Sequence, residues 1–168
     1  MEDIIRMQEN LLLIRRTVGW TAEEFGEKIG VTRQTINNIE SGRNKLTKTQ
    51  YIAMRSVLDA EMAQSPDDTE MLKVLLDVFV DHPEKYSDKN RSELLAKANL
   101  MAPSILTGTT SRVDVSKEWM KAAGLIVGGA AAFGSLGIGA GIATMNTWLI
   151  KAFATGKKNP TSKEKKDG

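Results

Sequence analysis

The chain has 168 residues and a formal net charge of +2, so it is long enough to bury a hydrophobic core. It has no cysteine and one histidine, which excludes disulfides and thiolate metal sites and leaves little for imidazole chemistry. Charge is unevenly spread: residues 1–65 carry nine basic and nine acidic side chains, residues 66–116 carry six and nine, and residues 117–168 carry eight and three. No catalytic or metal-binding cluster is apparent. We therefore expect a cytoplasmic protein that is not an enzyme and needs no cofactor or metal.

The first predicted helix runs to about Thr17, and Gly19 ends it. Its apolar residues recur at the spacing of one helix face: Ile4, Met7, Leu11 and Ile14. Thr21 is then a good N-cap for a second helix, because its hydroxyl can accept a hydrogen bond from a free backbone N–H. Gly26 within this helix leaves room for another helix to approach closely.

A tight turn at Gly30 ends the second helix, and Thr32 caps a third, which extends from Arg33 to about Ser41. The spacing predicts that Ile36 and Ile39 point inward. The opposite stripe then carries hydrogen-bonding side chains: Arg33, Gln34, Asn37, Asn38 and Ser41. Two short helices joined by a tight turn, with such a stripe outward, are typical of a helix-turn-helix that reads the DNA major groove.

The chemistry of this stripe suits base recognition. Arginine pairs well with guanine, and glutamine or asparagine pairs with adenine. Three cations follow the helix at Arg43, Lys45 and Lys48, where a loop beside the groove can meet phosphates. An ordinary polar face on a small helical domain is the alternative, but the helix caps, the corner glycine and these cations together favour DNA.

The same residues resemble the Cro and phage-repressor (XRE) family of helix-turn-helix regulators. The similarity covers about residues 4–58 and rests on three runs: Arg15-x-x-x-Gly19-x-Thr21, Phe25-Gly26-x-x-Ile29-Gly30-Val31-Thr32 and Gln34-Thr35-Ile36-x-x-Ile39-Glu40-x-Gly42. The resemblance implies an all-α, five-helix, lambda-repressor-like domain. It also implies a homodimer that binds a palindromic operator in double-stranded DNA.

Roles for individual residues also follow from this resemblance. The implied DNA-binding residues are Thr21, Thr32, Arg33, Gln34, Asn37, Asn38, Arg43 and Lys45. Arg33, Gln34 and Asn38 would make most base contacts with Asn37 in support, and the other four would meet phosphates.

The resemblance further implies that Glu40 is structural and pairs with Arg15 of the first helix. Two positions depart from the family pattern. Ala22 stands where the family often has a phosphate-binding glutamine, which removes one anchor, and Gly26 stands where it usually has alanine, which we expect to alter packing.

Beyond this motif, a helix over about residues 48–62 closes the small domain. The next, over residues 69–80, has too many apolar residues for a solvated helix, so we expect it to bury two faces, against the first domain or against a partner chain. A further helix, from about Asp88 to Met101, should stop before Pro103. The predicted organisation is a DNA-binding domain at 1–65, a helical linker or oligomerisation segment at 66–104, a linker at 105–116, a glycine-rich apolar segment at 117–152 and a basic, disordered tail at 153–168.

The glycine-rich segment contains 29 consecutive uncharged residues, Ala122–Ile150, with lysines on both sides and tryptophans near the ends. This length exceeds the roughly 20 residues that cross a bilayer, which favours membrane association. Its seven glycines, and the lysines on both sides, argue against a single span. A glycine-rich helical pair buried in a dimer interface is the alternative, and the sequence leaves both open.

Taken together, the sequence predicts a sequence-specific transcriptional regulator, a repressor in the family's commoner mode, which reads an operator with the helix Arg33–Ser41. The alternative is a membrane-associated interaction protein that uses the helix-turn-helix fold to hold a protein partner.

Overall fold

A computed structural model describes residues 1–127, whose regular elements are all helical. This confirms the expected all-α class. Seven α-helices follow one another: α1 (Glu2–Val18), α2 (Ala22–Ile29), α3 (Arg33–Glu40), α4 (Lys48–Gln64), α5 (Glu70–Leu76), α6 (Asp88–Leu106) and α7 (Arg112–Val127). A 3₁₀ turn, Asp67–Thr69, precedes α5, while a π-helical turn, Asp77–Asp81, and a 3₁₀ turn, Pro83–Lys85, follow it.

Side-chain caps and glycines set the boundaries of the first helices. The hydroxyl groups of Thr21, Thr32 and Thr47 each accept a hydrogen bond from the backbone N–H three residues on. Gly19 ends α1 with φ of 81°, and Gly30 ends α2 with φ of 75°, a conformation that costs other residues more than glycine. The predicted caps at Thr21 and Thr32 and the predicted helix ends at Gly19 and Gly30 are therefore confirmed.

The first hydrophobic core lies among α1, α2, α3 and α4. Residues from α5 and the turn after it complete this core, namely Leu72, Leu76 and Val80, which are spaced four residues apart. Residues 1–65 thus supply four helices of this core, and the fifth comes from beyond the boundary expected at residue 65.

A second core lies among α1, α5, α6 and α7. Leu13 of α1 and the fully buried Trp119 of α7 both lie in this second core. The opposite side of α5 enters this core through Met71, Val74 and Leu75. The prediction that this helix buries two faces is confirmed, and the helices that cover the second face belong to the same chain.

Helix α6 is longer than the sequence predicted, because it continues through Pro103 to Leu106. Proline has no backbone N–H, so Pro103 removes one hydrogen bond from the helix. Pro103 lies on the exposed side of α6. Continuing the helix buries Ile105, which packs beside Gly19 at the end of α1. The expected linker 105–116 is accordingly reduced to residues 107–111, since α7 begins at Arg112.

Arg112, the first residue of α7, ties this C-terminal part to the first core. Its guanidinium donates to the carbonyl of Val18 at 3.2 Å, to Glu61 of α4 at 2.7 Å and to Asp68 at 3.3 Å. These bonds join the ends of α1 and α4 to the start of α7.

The uncharged run Ala122–Ile150 lies mostly outside the described residues, which include only its first six positions at the end of α7. Among the helices described, none is both long and apolar enough to cross a membrane. Membrane association and a dimer interface through this run stay predictions.

We expect Arg112→Met to lower the free energy of unfolding by about 1–3 kcal/mol, because Glu61 and Asp68 would keep partly buried charges without their partner. Urea unfolding followed by circular dichroism measures this. Arg91→Met is the matched control and should cost about 0.5 kcal/mol or less, since Arg91 pairs, among residues 1–127, only with the exposed Asp88 one turn away. Equal losses in both variants would contradict the tethering role of Arg112.

Candidate DNA-binding surface

Helix α3 is fixed from behind by two isoleucines. Ile36 and Ile39 are fully buried in the first core, as the spacing predicted. Two neighbouring elements limit how α3 can move: α2 through the tight corner before it, and α1 through its polar side chains.

The corner between α2 and α3 depends on Gly26. The backbone N–H of Val31 donates to the Gly26 carbonyl at 2.9 Å. A Cβ atom added to Gly26 would lie 2.6 Å from the Val31 carbonyl oxygen, closer than nonbonded contact allows. The predicted close approach at this glycine is therefore present, and the approaching backbone is that of the turn into α3.

The entry into α2 is held by a capping box and an aromatic pair. Thr21 and Glu24 exchange backbone-to-side-chain hydrogen bonds. Bonds from the backbone and the hydroxyl of Thr21 lower the pKa of Glu24 below its ordinary value. Trp20 stacks on Phe25 with ring centroids 5.7 Å apart, as a hydrophobic staple at the start of the helix, and Lys28 lies 4.6 Å above the Trp20 ring.

A nearly buried ion pair joins α1 to the end of α3. Arg15 donates from Nε and Nη2 to the two carboxylate oxygens of Glu40, at 2.6 and 3.0 Å. Its third bond, from Nη1 to the carbonyl of Trp20, is 2.7 Å long. The expected pairing of Glu40 with Arg15 is confirmed. The same guanidinium also fixes the segment between α1 and α2.

Six of the eight predicted DNA-binding residues are exposed: Thr21, Thr32, Arg33, Gln34, Arg43 and Lys45. The other two, Asn37 and Asn38, are half-buried. Within α3, Gln34 Nε2 donates to Asn38 Oδ1 at 2.9 Å, one helical turn away. The structure therefore brings the amides of Gln34 and Asn38 together on the outer stripe, beside exposed Arg33.

The cations Arg43 and Lys45 stand on a closed loop after α3. Gly42 has φ of 73°, and its N–H donates to the Ile39 carbonyl at 3.1 Å. The N–H of Asn44 donates to the Asn38 carbonyl at 3.0 Å. The loop thus folds back on the end of α3 and leaves both cations exposed.

The sequence prediction missed Gln8, whose side-chain amide bonds to this loop. The sequence contained a signal for this role, because Gln8 precedes Arg15 by seven residues and so lies on the same stripe of α1.

In residues 1–127 no group of three or more acidic or histidine side chains is placed to hold a metal ion.

Comparison with known proteins finds similarity to helix-turn-helix proteins. A family model described as "Helix-turn-helix" matches residues 11–63. Antitoxin HipB of Escherichia coli (strain K12) is 33% identical over 64 residues, which cover 34% of this chain and 73% of HipB. The chain belongs to the XRE-type helix-turn-helix family. No solved structure gives a significant match. The family match includes α2 and α3, and both similarities support a DNA-binding regulator.

We expect Gly26→Ala to destabilise the protein by about 1–3 kcal/mol. The clash of its Cβ with the Val31 carbonyl outweighs the gain of about 1 kcal/mol in helix propensity. Thermal unfolding measures the change. Gly124→Ala in α7 is the matched control and should be neutral or stabilising, because no neighbouring atom among residues 1–127 lies within 4 Å of an added Cβ. If Gly26→Ala is instead more stable than the parent, the backbone between α2 and α3 can move away from the added Cβ without cost, which would contradict this prediction.

For the ion pair of this XRE domain, we expect Arg15→Lys to cost about 2–4 kcal/mol of stability. An ammonium group cannot reproduce the paired bonds to Glu40 together with the bond to the Trp20 carbonyl. Chemical denaturation quantifies the loss. The neighbouring Arg16→Lys serves as control and should change stability by about 0.5 kcal/mol or less, since Arg16 forms no ion pair within the described residues 1–127. A loss below 1 kcal/mol for Arg15→Lys would refute this role of its guanidinium.

Proposed function

We propose that this protein is a transcriptional repressor that reads an operator in double-stranded DNA with α3. The family match and the similarity to HipB support a DNA-binding regulator. The observation that carries the finer proposal is the outer stripe of α3. Exposed Arg33 and Gln34 there lie on a helix whose opposite side is anchored by fully buried Ile36 and Ile39.

The amide pair supports adenine recognition. The bond between Gln34 and Asn38 uses one N–H of the glutamine and the oxygen of the asparagine. The Gln34 oxygen and its second N–H stay available, as do the N–H donors of Asn38. A glutamine with one acceptor and one donor left matches N6 and N7 of adenine in the major groove, and its partner limits the rotamers that Gln34 adopts.

Arg33 supplies a different specificity. Its guanidinium is exposed at the start of α3 and takes part in no ion pair in the described part of the chain. A planar, bidentate donor at this place suits the N7 and O6 acceptors of guanine. Asn37, half-buried beside this stripe, supports these contacts in our proposal.

The phosphate contacts come from the two helix starts and the loop. The hydroxyls of Thr21 and Thr32 each accept a hydrogen bond from the backbone of their own helix, and both threonines are exposed at the helix starts, where they can approach a phosphate. Arg43 and Lys45 add positive charge on the loop, and residues 31–48 contain four cations against the single acidic Glu40. Since Arg15 neutralises Glu40 from behind, this surface presents net positive charge to the backbone.

In this proposal the protein acts as a homodimer on a palindromic operator and represses by occluding the polymerase. Two copies of α3 would then enter successive major grooves about 34 Å apart. Both features rest on the resemblance to Cro and phage repressors, and a palindrome in the bound DNA is the expected mark of the dimer.

Selection of bound sequences from random DNA with the full chain tests the proposal, and we expect a palindromic consensus. Gln34→Ala should weaken binding to that consensus about 5-fold to 150-fold and relax the preference at one base pair in each half-site. The lost bidentate contact is worth about 1–3 kcal/mol of discrimination. Fluorescence anisotropy with consensus and altered operators measures both effects.

Gln64→Ala is the matched control, because Gln64 is an exposed glutamine at the end of α4, outside the proposed interface. It should leave affinity and consensus unchanged. If the intact protein enriches no sequence even at low salt, operator reading is wrong, and the interaction-protein function becomes the better explanation.

A further inference from the structure

One side chain of α1 reaches across to the segment that follows the recognition helix. Gln8 Nε2 donates to the carbonyls of Ile39 at 2.9 Å and Asn44 at 2.8 Å. Its Oε1 accepts from the backbone N–H of Leu46 at 2.9 Å. One half-buried amide thus makes three bonds, all to backbone atoms of residues 31 to 38 positions away.

These bonds hold the backbone on both sides of Lys45. The Asn44 carbonyl precedes Lys45 and the Leu46 N–H follows it, so a single rigid amide plane fixes the path of the chain through this residue. The Ile39 bond ties the same amide to the last turn of α3. The direction in which Lys45 leaves the surface is therefore set relative to the recognition helix.

The rest of the loop supports the same geometry. Leu46 is buried in the first core, and the N–H of Asn44 bonds back to the Asn38 carbonyl. Arg43 and Lys45 nevertheless keep exposed side chains. A loop whose backbone is ordered before binding loses less entropy when its cations meet phosphates, which favours affinity.

We propose that Gln8 is a positioning residue for DNA binding: it holds the loop 43–46 so that Arg43 and Lys45 meet the phosphate backbone when α3 lies in the groove. This inference rests on the proposed function. Gln8 itself touches no DNA in this arrangement and acts through Lys45 and Arg43.

A double-mutant cycle on the full chain tests the coupling. The variants are Gln8→Met, which keeps the side-chain length and removes the amide, Lys45→Ala, and both together. We expect Gln8→Met to weaken binding to the selected operator about 10-fold. It should also reduce the magnitude of the slope of log affinity against log salt concentration by about 1, the value expected for about one lost phosphate contact. Lys45→Ala should cost much less in the Gln8→Met background than alone.

The matched control is Asn10→Leu, because the Asn10 amide, in the part of the chain that the structure describes, bonds only to the Arg6 carbonyl one turn back in α1. It should leave the affinity and the salt dependence unchanged. A merely structural role of Gln8 predicts additive effects and an unchanged salt dependence, and that result would overturn the proposal. Should Gln8→Met fold poorly, Gln8→Asn keeps the amide but shortens its reach, and the same coupling is expected.

A measurement without DNA separates this inference from the proposed function. Backbone ¹⁵N relaxation should show residues 43–46 ordered in the parent protein and in Asn10→Leu, and mobile in Gln8→Met. Unchanged order in the Gln8 variant would refute the positioning role even if the protein binds DNA. If the loop is ordered in the parent protein and mobile in Gln8→Met, but the protein enriches no operator, the result would confirm that Gln8 holds the loop. It would then refute only the proposed operator reading.

Discussion

The helix-turn-helix depends on the hydrogen bonds that the guanidinium of Arg15 makes. This guanidinium is almost fully buried and bonds at once to both carboxylate oxygens of Glu40 and to the carbonyl of Trp20. A charged group in this position is tolerable only with its partners in place, because an unpaired buried charge costs several kcal/mol. The end of α3 and the entry to α2 are therefore fixed to α1 together.

Helix α1 supports the buried side of α3 in two chemically different ways. Its apolar side, which includes Met7, Leu11 and Ile14, lies in the core that also contains the inward isoleucines of α3. Its polar stripe carries Gln8 and Arg15, which bond to the end of α3 and the loop after it. Apolar packing sets how close the helices come, while these directional bonds set how α3 ends and where its loop runs.

The C-terminal helices α6 and α7 pack together with the helices of the helix-turn-helix domain. Leu13 places α1 in the second core as well, α5 lies between the two cores, and Arg112 bonds to the ends of α1 and α4. The helices that pack around α3 thus belong to a scaffold larger than the family match at residues 11–63. Changes in α6 or α7 therefore act on the stability of the domain through shared packing.

The sequence by itself determined the features that depend on neighbours along the chain. These include the threonine caps, the glycines that end α1 and α2, the inward isoleucines of α3 and, through family resemblance, the pair between Arg15 and Glu40. Only the tertiary structure decided the course of α6 through Pro103, the arrangement of α5 between two cores, and the contacts of Gln8 and Arg112. The physical reason is distance: Gln8 bonds to residues 31 to 38 positions away and Arg112 to residues 44 to 94 positions away. Such contacts arise when helices pack against each other, whereas caps and periodicity reflect conformational preferences over a few neighbouring residues.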